Sequence, residues 1–214
     1  MKIKYIVLVF AVLAAIVFAT VGILQKPDAG PETSKATLQS AAVPSQEGEK
    51  TPSIPKKKAL VVYFSYTGNT RILAEQIRKN VSGDIFELQP VTPYSTDYAT
   101  VEKQGKQEVE SGYRPSLKAK VENIASYDVI FVGTPIWWYT IAPPVATFLA
   151  EADLAGKTII PFCTHGGYGA GHSLEDVKKL ALKAQVLDEL VLRGNSKYEQ
   201  QEIYAWLSKV GFGE

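Results

Sequence analysis

The sequence predicts an α/β protein whose folded part is a three-layer sandwich around a five-stranded parallel β-sheet. From Ala59 onward, five short apolar runs alternate with segments of helical periodicity. Most of the runs are almost continuously apolar, as in Leu60–Phe64, which is typical of strands that are covered on both faces. Because strands and helices that alternate in this way form βαβ units, we expect a parallel sheet between two layers of helices.

The predicted elements follow one another in chain order. The first strand, Leu60–Phe64, leads into a helix, Thr70–Val81, whose apolar residues such as Leu73 and Ile77 lie on one side. The other predicted strands are Asp84–Leu88, Asp128–Val132, Thr158–Phe162 and Val186–Leu192. The other predicted helices are a short one near Tyr98–Glu110 within the polar segment Thr92–Ser116, then Lys118–Ile124, one that begins with Pro144–Ala150, then His172–Leu182 and Tyr198–Val210.

The first 24 residues predict a membrane anchor. A short basic N-terminus, residues 1–5 with Lys2 and Lys4, precedes nineteen uncharged residues from Ile6 to Leu24. A helix of that length spans roughly 30 Å, about one bilayer core, and the flanking lysines favour an orientation with the folded domain outside the cytoplasm. The alternative is a signal sequence that is cleaved for secretion, although small-residue cleavage sites match poorly in this segment.

A linker and a single domain account for the rest of the chain. Residues 25–58 are rich in Pro, Ser, Ala, Gly, Glu and Lys and lack apolar periodicity, which predicts a disordered linker. Residues 59–214 carry fifteen Lys and Arg against eighteen Asp and Glu, so this domain lacks the basic face that nucleic acid requires. The single cysteine, Cys163, excludes an intramolecular disulfide and any metal site built from several cysteines.

Three loops at the carboxyl ends of strands carry the candidate binding residues, because ligands of parallel sheets bind beyond that edge. Loop 1 joins the first strand to its helix and offers hydroxyls, an amide and backbone N–H groups without a lysine, which favours a phosphate that is held and not transferred. An N-cap alone would need only one such residue. The candidate residues of loop 1 are Ser65, Tyr66, Thr67, Gly68, Asn69 and Thr70.

The other two loops offer aromatic rings and glycines. Loop 2, after the third strand, has three consecutive aromatic residues, of which at least one must face a ligand or solvent and one is expected to pack over the sheet edge. Loop 3, after the fourth strand, has four glycines that permit close approach to a ligand, with one tyrosine among them. Their candidate residues are Thr134, Pro135, Ile136, Trp137, Trp138 and Tyr139 in loop 2, and Thr164, His165, Gly166, Gly167, Tyr168 and Gly169 in loop 3.

These motifs resemble those of the flavodoxin-like family over residues 59–214. Ser65-x-Thr67-Gly68-Asn69-Thr70 matches the family's phosphate loop, and loops 2 and 3 are similar to the loops whose aromatic residues cover the two faces of FMN. The resemblance implies the strand order 2-1-3-4-5 and noncovalent FMN at the point where strand order reverses. The uninterrupted fifth predicted strand resembles the short-chain form of the family.

Two departures from the family pattern bear on function. The three loops carry no Asp or Glu, and His165 stands where an acidic residue is common, which predicts a flavin potential above that of acidic flavodoxins. The segment Thr92–Ser116 is longer than a minimal connection and could cover the flavin or form a partner surface.

Three functions stay open at this stage. The first is an electron carrier between partner proteins, and the second is an FMN-dependent NAD(P)H oxidoreductase acting on a quinone or another small acceptor. The third is a flavin-free binding module, which the intact phosphate loop disfavours. His165 and His172 have no further ligands near them in sequence, so no metal site is predicted, and catalytic residues are not assigned.

Overall fold

A parallel β-sheet organises the part of the chain that the structure, a computed structural model, describes. The described residues are 57–195 and 197–212. Within those ranges no helix combines the length and apolar character needed to cross a bilayer. The predicted anchor at residues 6–24, its alternative as a signal sequence, and nearly all of the predicted linker at residues 25–58 lie outside the described residues.

Strands and helices alternate along the chain, as predicted. The strands are β1 (Ala59–Tyr63), β2 (Asp84–Glu87), β3 (Val129–Trp137), β4 (Thr140–Ile141), β5 (Thr158–His165), β6 (Gln185–Val186) and β7 (Leu190–Arg193). The helices are α1 (Asn69–Val81), α2 (Tyr98–Ser111), α3 (Pro143–Glu151), α4 (Ser173–Leu180) and α5 (Gln200–Lys209), with a 3₁₀ turn at Ile124–Ser126.

The sheet has the order β2-β1-β3-β5, and both β6 and β7 then pair with β5. Every pairing is parallel except that of β4, which returns antiparallel to the end of β3. Because β6 and β7 are two segments of one edge strand, this order confirms the predicted 2-1-3-4-5. The carboxyl ends of β1, β3 and β5 therefore meet at one edge.

Two hydrophobic clusters cover the two faces of the sheet. Successive side chains of a strand point to opposite faces, so Val61 packs with Leu73 of α1 and Ile203 of α5. Its neighbour Val62 packs on the other face, with Val145 of α3 among its cluster. This arrangement confirms the three-layer sandwich.

The predicted helix Lys118–Ile124 is wrong. The Lys118 N–H donates to the carbonyl of Gln89 at 2.8 Å, and Leu117 forms an antiparallel bridge with Pro90. These contacts hold the segment extended beside the end of β2, and only the 3₁₀ turn follows it. Apolar residues at helical spacing were present, but tertiary hydrogen bonds outweighed this local preference.

The predicted fifth strand, Val186–Leu192, is interrupted. Between β6 and β7, the side chain of Glu189 turns inward, where its two carboxylate oxygens share the hydroxyl hydrogen of Ser173, with Oγ–O distances of 2.7 and 2.8 Å. The expectation of an uninterrupted fifth strand is therefore wrong. Strands β3 and β5, in contrast, run further than predicted and carry their pairing to Pro135 and Thr164.

Candidate functional site

A cavity of about 340 Å³ opens at the sheet edge where β1, β3 and β5 end. Its volume falls in the range of small-molecule sites. The three predicted loops all reach it, and α2 forms its remaining wall. The predicted site residues that line it are Tyr66, Ile136, Trp137, Trp138, Tyr139, His165, Gly166, Tyr168 and Gly169.

Loop 1 lies at the N-terminus of α1, beside this cavity. Gly68 precedes the helix with a φ of 91°, a left-handed conformation that favours glycine. Among the described residues, the backbone N–H groups of Thr67, Gly68, Asn69 and Thr70 have no acceptor. Four such donors at a helix N-terminus form a site suited to an anion.

The side chains of loop 1 divide into exposed and buried groups. Asn69 Nδ2 donates to Thr67 Oγ1 at 3.1 Å, and this pair is at the surface. Thr70 is buried instead, and its hydroxyl lies 2.8 Å from that of Thr164. The Thr70 hydroxyl therefore ties loop 1 to β5, so that this residue can offer a ligand its N–H but not its side chain.

The residues of loop 2 form a β-hairpin. Strand β3 continues to Trp137, and Trp138 and Tyr139 make the two-residue turn with φ values of 48° and 65°. A two-residue turn of this type needs a left-handed backbone conformation at both positions, which Asn and Gly adopt most readily. Two bulky aromatic residues in that conformation therefore store strain in the turn. The turn is held by Trp138 Nε1, which donates to the Glu102 carbonyl at 3.1 Å, and by the His172 N–H, which donates to the Tyr139 carbonyl at 2.7 Å.

The two tryptophans have different surroundings. Trp137 packs among aromatic rings, with its centroid 4.9 Å from Tyr94 and 5.7 Å from Phe64. Trp138 is 41% exposed, and Tyr139 is 54% exposed. Trp137 is thus the residue that closes the sheet edge, whereas the hairpin turn presents its two aromatic rings to the cavity and solvent.

His165 shapes loop 3. Its Nδ1 accepts hydrogen bonds from the N–H groups of Gly167 and Gly169, both at 3.1 Å. Burial, and then the charge of Arg193 on β7, lower the pKa of His165 below its ordinary value. Between the two bonded glycines Tyr168 projects outward, 85% exposed, with its ring 6.3 Å from that of Tyr139.

Helix α2 supplies site residues that were not predicted individually. The predicted short helix near Tyr98–Glu110 is confirmed, and its side chains Tyr98, Val101 and Glu102 line the cavity. The unusual length of the surrounding segment was the only signal in the sequence. Glu102 is the one acidic residue among those that line the cavity, and Lys106 Nζ lies 5.2 Å from the centre of the Trp138 ring.

The connection from β7 to α5 was also missed. The Gly194 N–H donates to the His165 carbonyl at 2.8 Å, and Tyr198 Oη donates to the Asn69 carbonyl at 3.2 Å. A Cβ at Gly194 would lie 2.8 Å from Asn69 Nδ2, so a larger residue there would displace the end of the Asn69 side chain. The sheet topology could have predicted that this connection lies at the site, because the last strand ends at the same edge of the sheet as β1 and β5.

Comparison with known proteins gives a family and several similar structures. The family model described as flavodoxin matches residues 58–210. A candidate flavoprotein of Bacteroides eggerthii is 35% identical with a TM-score of 0.64, over 72% of this chain and 98% of that chain. One of Bacteroides uniformis is 29% identical with a TM-score of 0.62, over 71% of this chain and 98% of that chain.

A third solved structure is more distant. The flavoprotein of Lactobacillus acidophilus NCFM in complex with FMN is 21% identical with a TM-score of 0.56, over 65% of this chain and 95% of that chain. No curated protein matches the chain at a significant level. With the family model spanning residues 58–210, which contain β1 to α5 and all three loops, the chain belongs to the flavodoxin family.

Proposed function

We propose that this protein is an FMN-binding electron carrier that its N-terminal segment holds at a membrane surface. The observation that supports FMN best is that loop 1, with four N–H groups that bond to no described residue, adjoins a cavity walled by aromatic rings. A phosphate and a flat ring are the two ends of FMN, and each has a matching surface here. FMN is also the cofactor of the family, and the Lactobacillus acidophilus relative was solved in complex with it.

The site residues fit FMN in two groups. The N–H groups of Thr67 to Thr70, together with the Thr67 hydroxyl, would bind the phosphate. The ring would lie among the aromatic side chains of Trp138, Tyr139 and Tyr168, where the glycines of loop 3 permit close approach. When bound, FMN supplies one- and two-electron transfer, and the protein's part is to bind the cofactor, orient it and limit its contact with water.

The exposed aromatic residues at the cavity favour a carrier. Tyr98 and Tyr168 are 65% and 85% exposed at its mouth, and aromatic residues are enriched where proteins dock on one another. A redox partner protein that docks over this mouth would approach the cofactor without entering the cavity.

A second candidate is an FMN-dependent NAD(P)H:quinone oxidoreductase. The observation that favours it is the α2 wall, where Tyr98, 65% exposed, offers an aromatic face on which a planar substrate could stack. A flavin-free binding module on the same fold would leave the N–H groups of loop 1 without a ligand.

The visible spectrum of the purified full chain tests the cofactor. We expect a yellow protein with equimolar FMN, whereas a colourless protein that FMN cannot reconstitute would contradict FMN binding. Rapid mixing of the yellow protein with NADPH then separates the two redox functions. Fast bleaching supports the oxidoreductase, and inertness toward NADPH supports the carrier.

The membrane tether is tested on the full chain in a bacterial host. Residues 6–24 carry no charge over nineteen positions, which supports an uncleaved anchor with the domain outside the cytoplasm. We expect the protein to stay in the membrane pellet after alkaline carbonate extraction and to be digested by protease added to spheroplasts. A shortened N-terminus by mass spectrometry would favour cleavage and secretion instead.

A further inference from the structure

The imidazole of His165 holds loop 3 in a way that depends on its charge. A ring nitrogen accepts a hydrogen bond only when it carries no proton, and His165 Nδ1 accepts two, from Gly167 and Gly169. The ring is therefore neutral, with its proton on Nε2. Among the described residues, no other group accepts from these two N–H groups.

These two hydrogen bonds fix a backbone that has little other support. Gly167 and Gly169 have φ values of 146° and 78°, conformations that glycine adopts readily and that no regular structure enforces. Tyr168, between them, is 85% exposed, and within the described ranges its ring contacts only that of Tyr139. The position of Tyr168 at the cavity thus depends mainly on the His165 ring.

We propose that His165 is a positioning residue for loop 3 and that its protonation releases the loop from the flavin site. Protonation places an N–H at Nδ1, so that two bonds are lost and three N–H groups face one another. The part of this proposal that concerns FMN rests on the proposed function, whereas the clasp between His165 and the two glycines does not.

The charges around His165 favour its neutral form. Arg193 of β7 is its neighbour in the sheet, and no salt bridge pairs either residue within the described ranges. Burial and the charge of Arg193 lower the pKa of His165 from 6.5. The clasp is therefore complete at neutral pH and is lost as the pH falls below 6.5. The other titratable groups that share the cavity with His165 are Tyr66 of loop 1, Tyr98 and Glu102 of α2, Tyr139 of the hairpin and Tyr168 of its own loop.

Two substitutions of His165 distinguish its role as a hydrogen-bond acceptor from the effect of its charge when it is protonated. His165→Asn keeps an acceptor, because the amide oxygen takes the position of Nδ1 on the side chain, but it cannot be protonated in this range. His165→Gln is the matched control, since it carries the same amide one carbon further from the backbone. Each is made in the full chain.

The clasp is measured first by NMR on protein without flavin, with glycine labelled by ¹⁵N. We expect two glycine amide signals of the wild type to shift together with the His165 ring, at a midpoint below 6.5. In His165→Asn those two signals should stay constant with pH, and in His165→Gln they should be displaced at every pH. If the glycine amide signals of the wild type do not shift when His165 titrates, the proposal is wrong.

The consequence for the site is measured as the dissociation constant of FMN. Loss of two hydrogen bonds predicts about tenfold weaker binding by the wild type at a pH well below the midpoint that NMR gives for His165 than at about pH 7.5. The phosphate of FMN titrates near pH 6 in every variant, so the comparison with His165→Asn, which should lose markedly less, isolates the histidine. Equal pH dependence in the wild type and His165→Asn would overturn the positioning role. Failure to bind FMN at any pH would contradict the proposed function and leave the NMR result to decide the clasp.

Discussion

Gly105 of α2 lies against the indole of Trp137: a Cβ at Gly105 would come within 3.0 Å of Trp137 Cε3. The missing side chain lets the helix approach the end of β3 closely enough to wall the cavity. Trp137 cannot retreat easily, because the rings of Phe64, Tyr66 and Tyr94 surround it. The helix and the hairpin are thus fitted to one another at this contact.

Replacing Gly105 by valine should separate α2 from Trp137. We expect Gly105→Val to lower the free energy of unfolding by about 2 kcal/mol, which is typical of an overpacked core position, although valine is the better helix former. Urea unfolding of the full chain measures this. Gln107→Val, at an exposed site of the same helix, is the control and should change stability by no more than about 0.5 kcal/mol. Equal effects of the two variants would show that the contact does not matter.

The two threonines of loop 1 should have separable roles. Thr67→Ala removes an exposed hydroxyl and should weaken binding of FMN but not of riboflavin, which lacks the phosphate. Thr70→Val leaves the buried Thr164 hydroxyl without its partner and should destabilise the fold by about 1–3 kcal/mol. Titration with both flavins and urea unfolding distinguish the two effects.

A double variant checks the interpretation of Thr70. When both hydroxyls are replaced, as in Thr70→Val with Thr164→Val, no buried group is left unpaired, so that most of the lost stability should return. If the double variant is as unstable as the sum of the single ones, the hydroxyl pair is not the cause.

Cys163 should resist alkylation in the folded protein. It is fully buried, and burial, followed by the nearby charge of Glu189, raises the pKa of the thiol. Since the thiolate is the reactive form, iodoacetamide at about pH 8 should modify the native full chain far more slowly than the urea-unfolded chain. Mass spectrometry follows the reaction, and modification at the same rate in both states would contradict the buried position.

The sequence pattern predicted the strands and the loops that follow them, and the resemblance to the flavodoxin-like family implied the strand order. Continuous apolar runs such as Leu60–Phe64 identify buried strands, and the edge at which they end follows from topology alone. Loop 1 could be predicted because its sequence is local to one turn. The sequence did not reveal which of Trp137 and Trp138 packs over the sheet edge and which is exposed. That depends on Gly105 of α2, which precedes Trp137 by thirty-two residues.

The errors share a physical cause. Lys118–Ile124 has a helical pattern, and Val186–Leu192 has an apolar one, yet each is overridden by a contact distant in sequence. The interruption by Glu189 depends on Ser173, which no pattern within the strand reveals. Likewise, Glu102 lines the cavity because α2 folds over it, which no pattern in the three loops reveals.

Glu189 joins three elements at the end of loop 3. The hydroxyl of Ser173, the first residue of α4, shares its one hydrogen between the two carboxylate oxygens, and Cys163 on β5 lies close to the same carboxylate. Burial is the main reason that its pKa is raised above the ordinary value of 4.5, and these hydrogen bonds oppose that change only in part. The protonated form is therefore favoured more by the folded state than by the unfolded chain.

This direction predicts how stability varies with pH. A raised pKa contributes stability that is complete below pH 4.5 and is lost as the pH rises through the folded-state pKa. Glu189→Gln keeps an acceptor for Ser173 without the charge, so its urea midpoint should lie above that of the wild type at pH 7, and the two should converge toward pH 4.5. Asp188→Asn is the matched control, because Asp188 is exposed beside Lys209 and its pKa is lowered. The urea midpoint of Asp188→Asn should not rise above that of the wild type as the pH rises. If the midpoint of Glu189→Gln changes with pH in parallel with that of the wild type, the Glu189 carboxylate carries no buried charge.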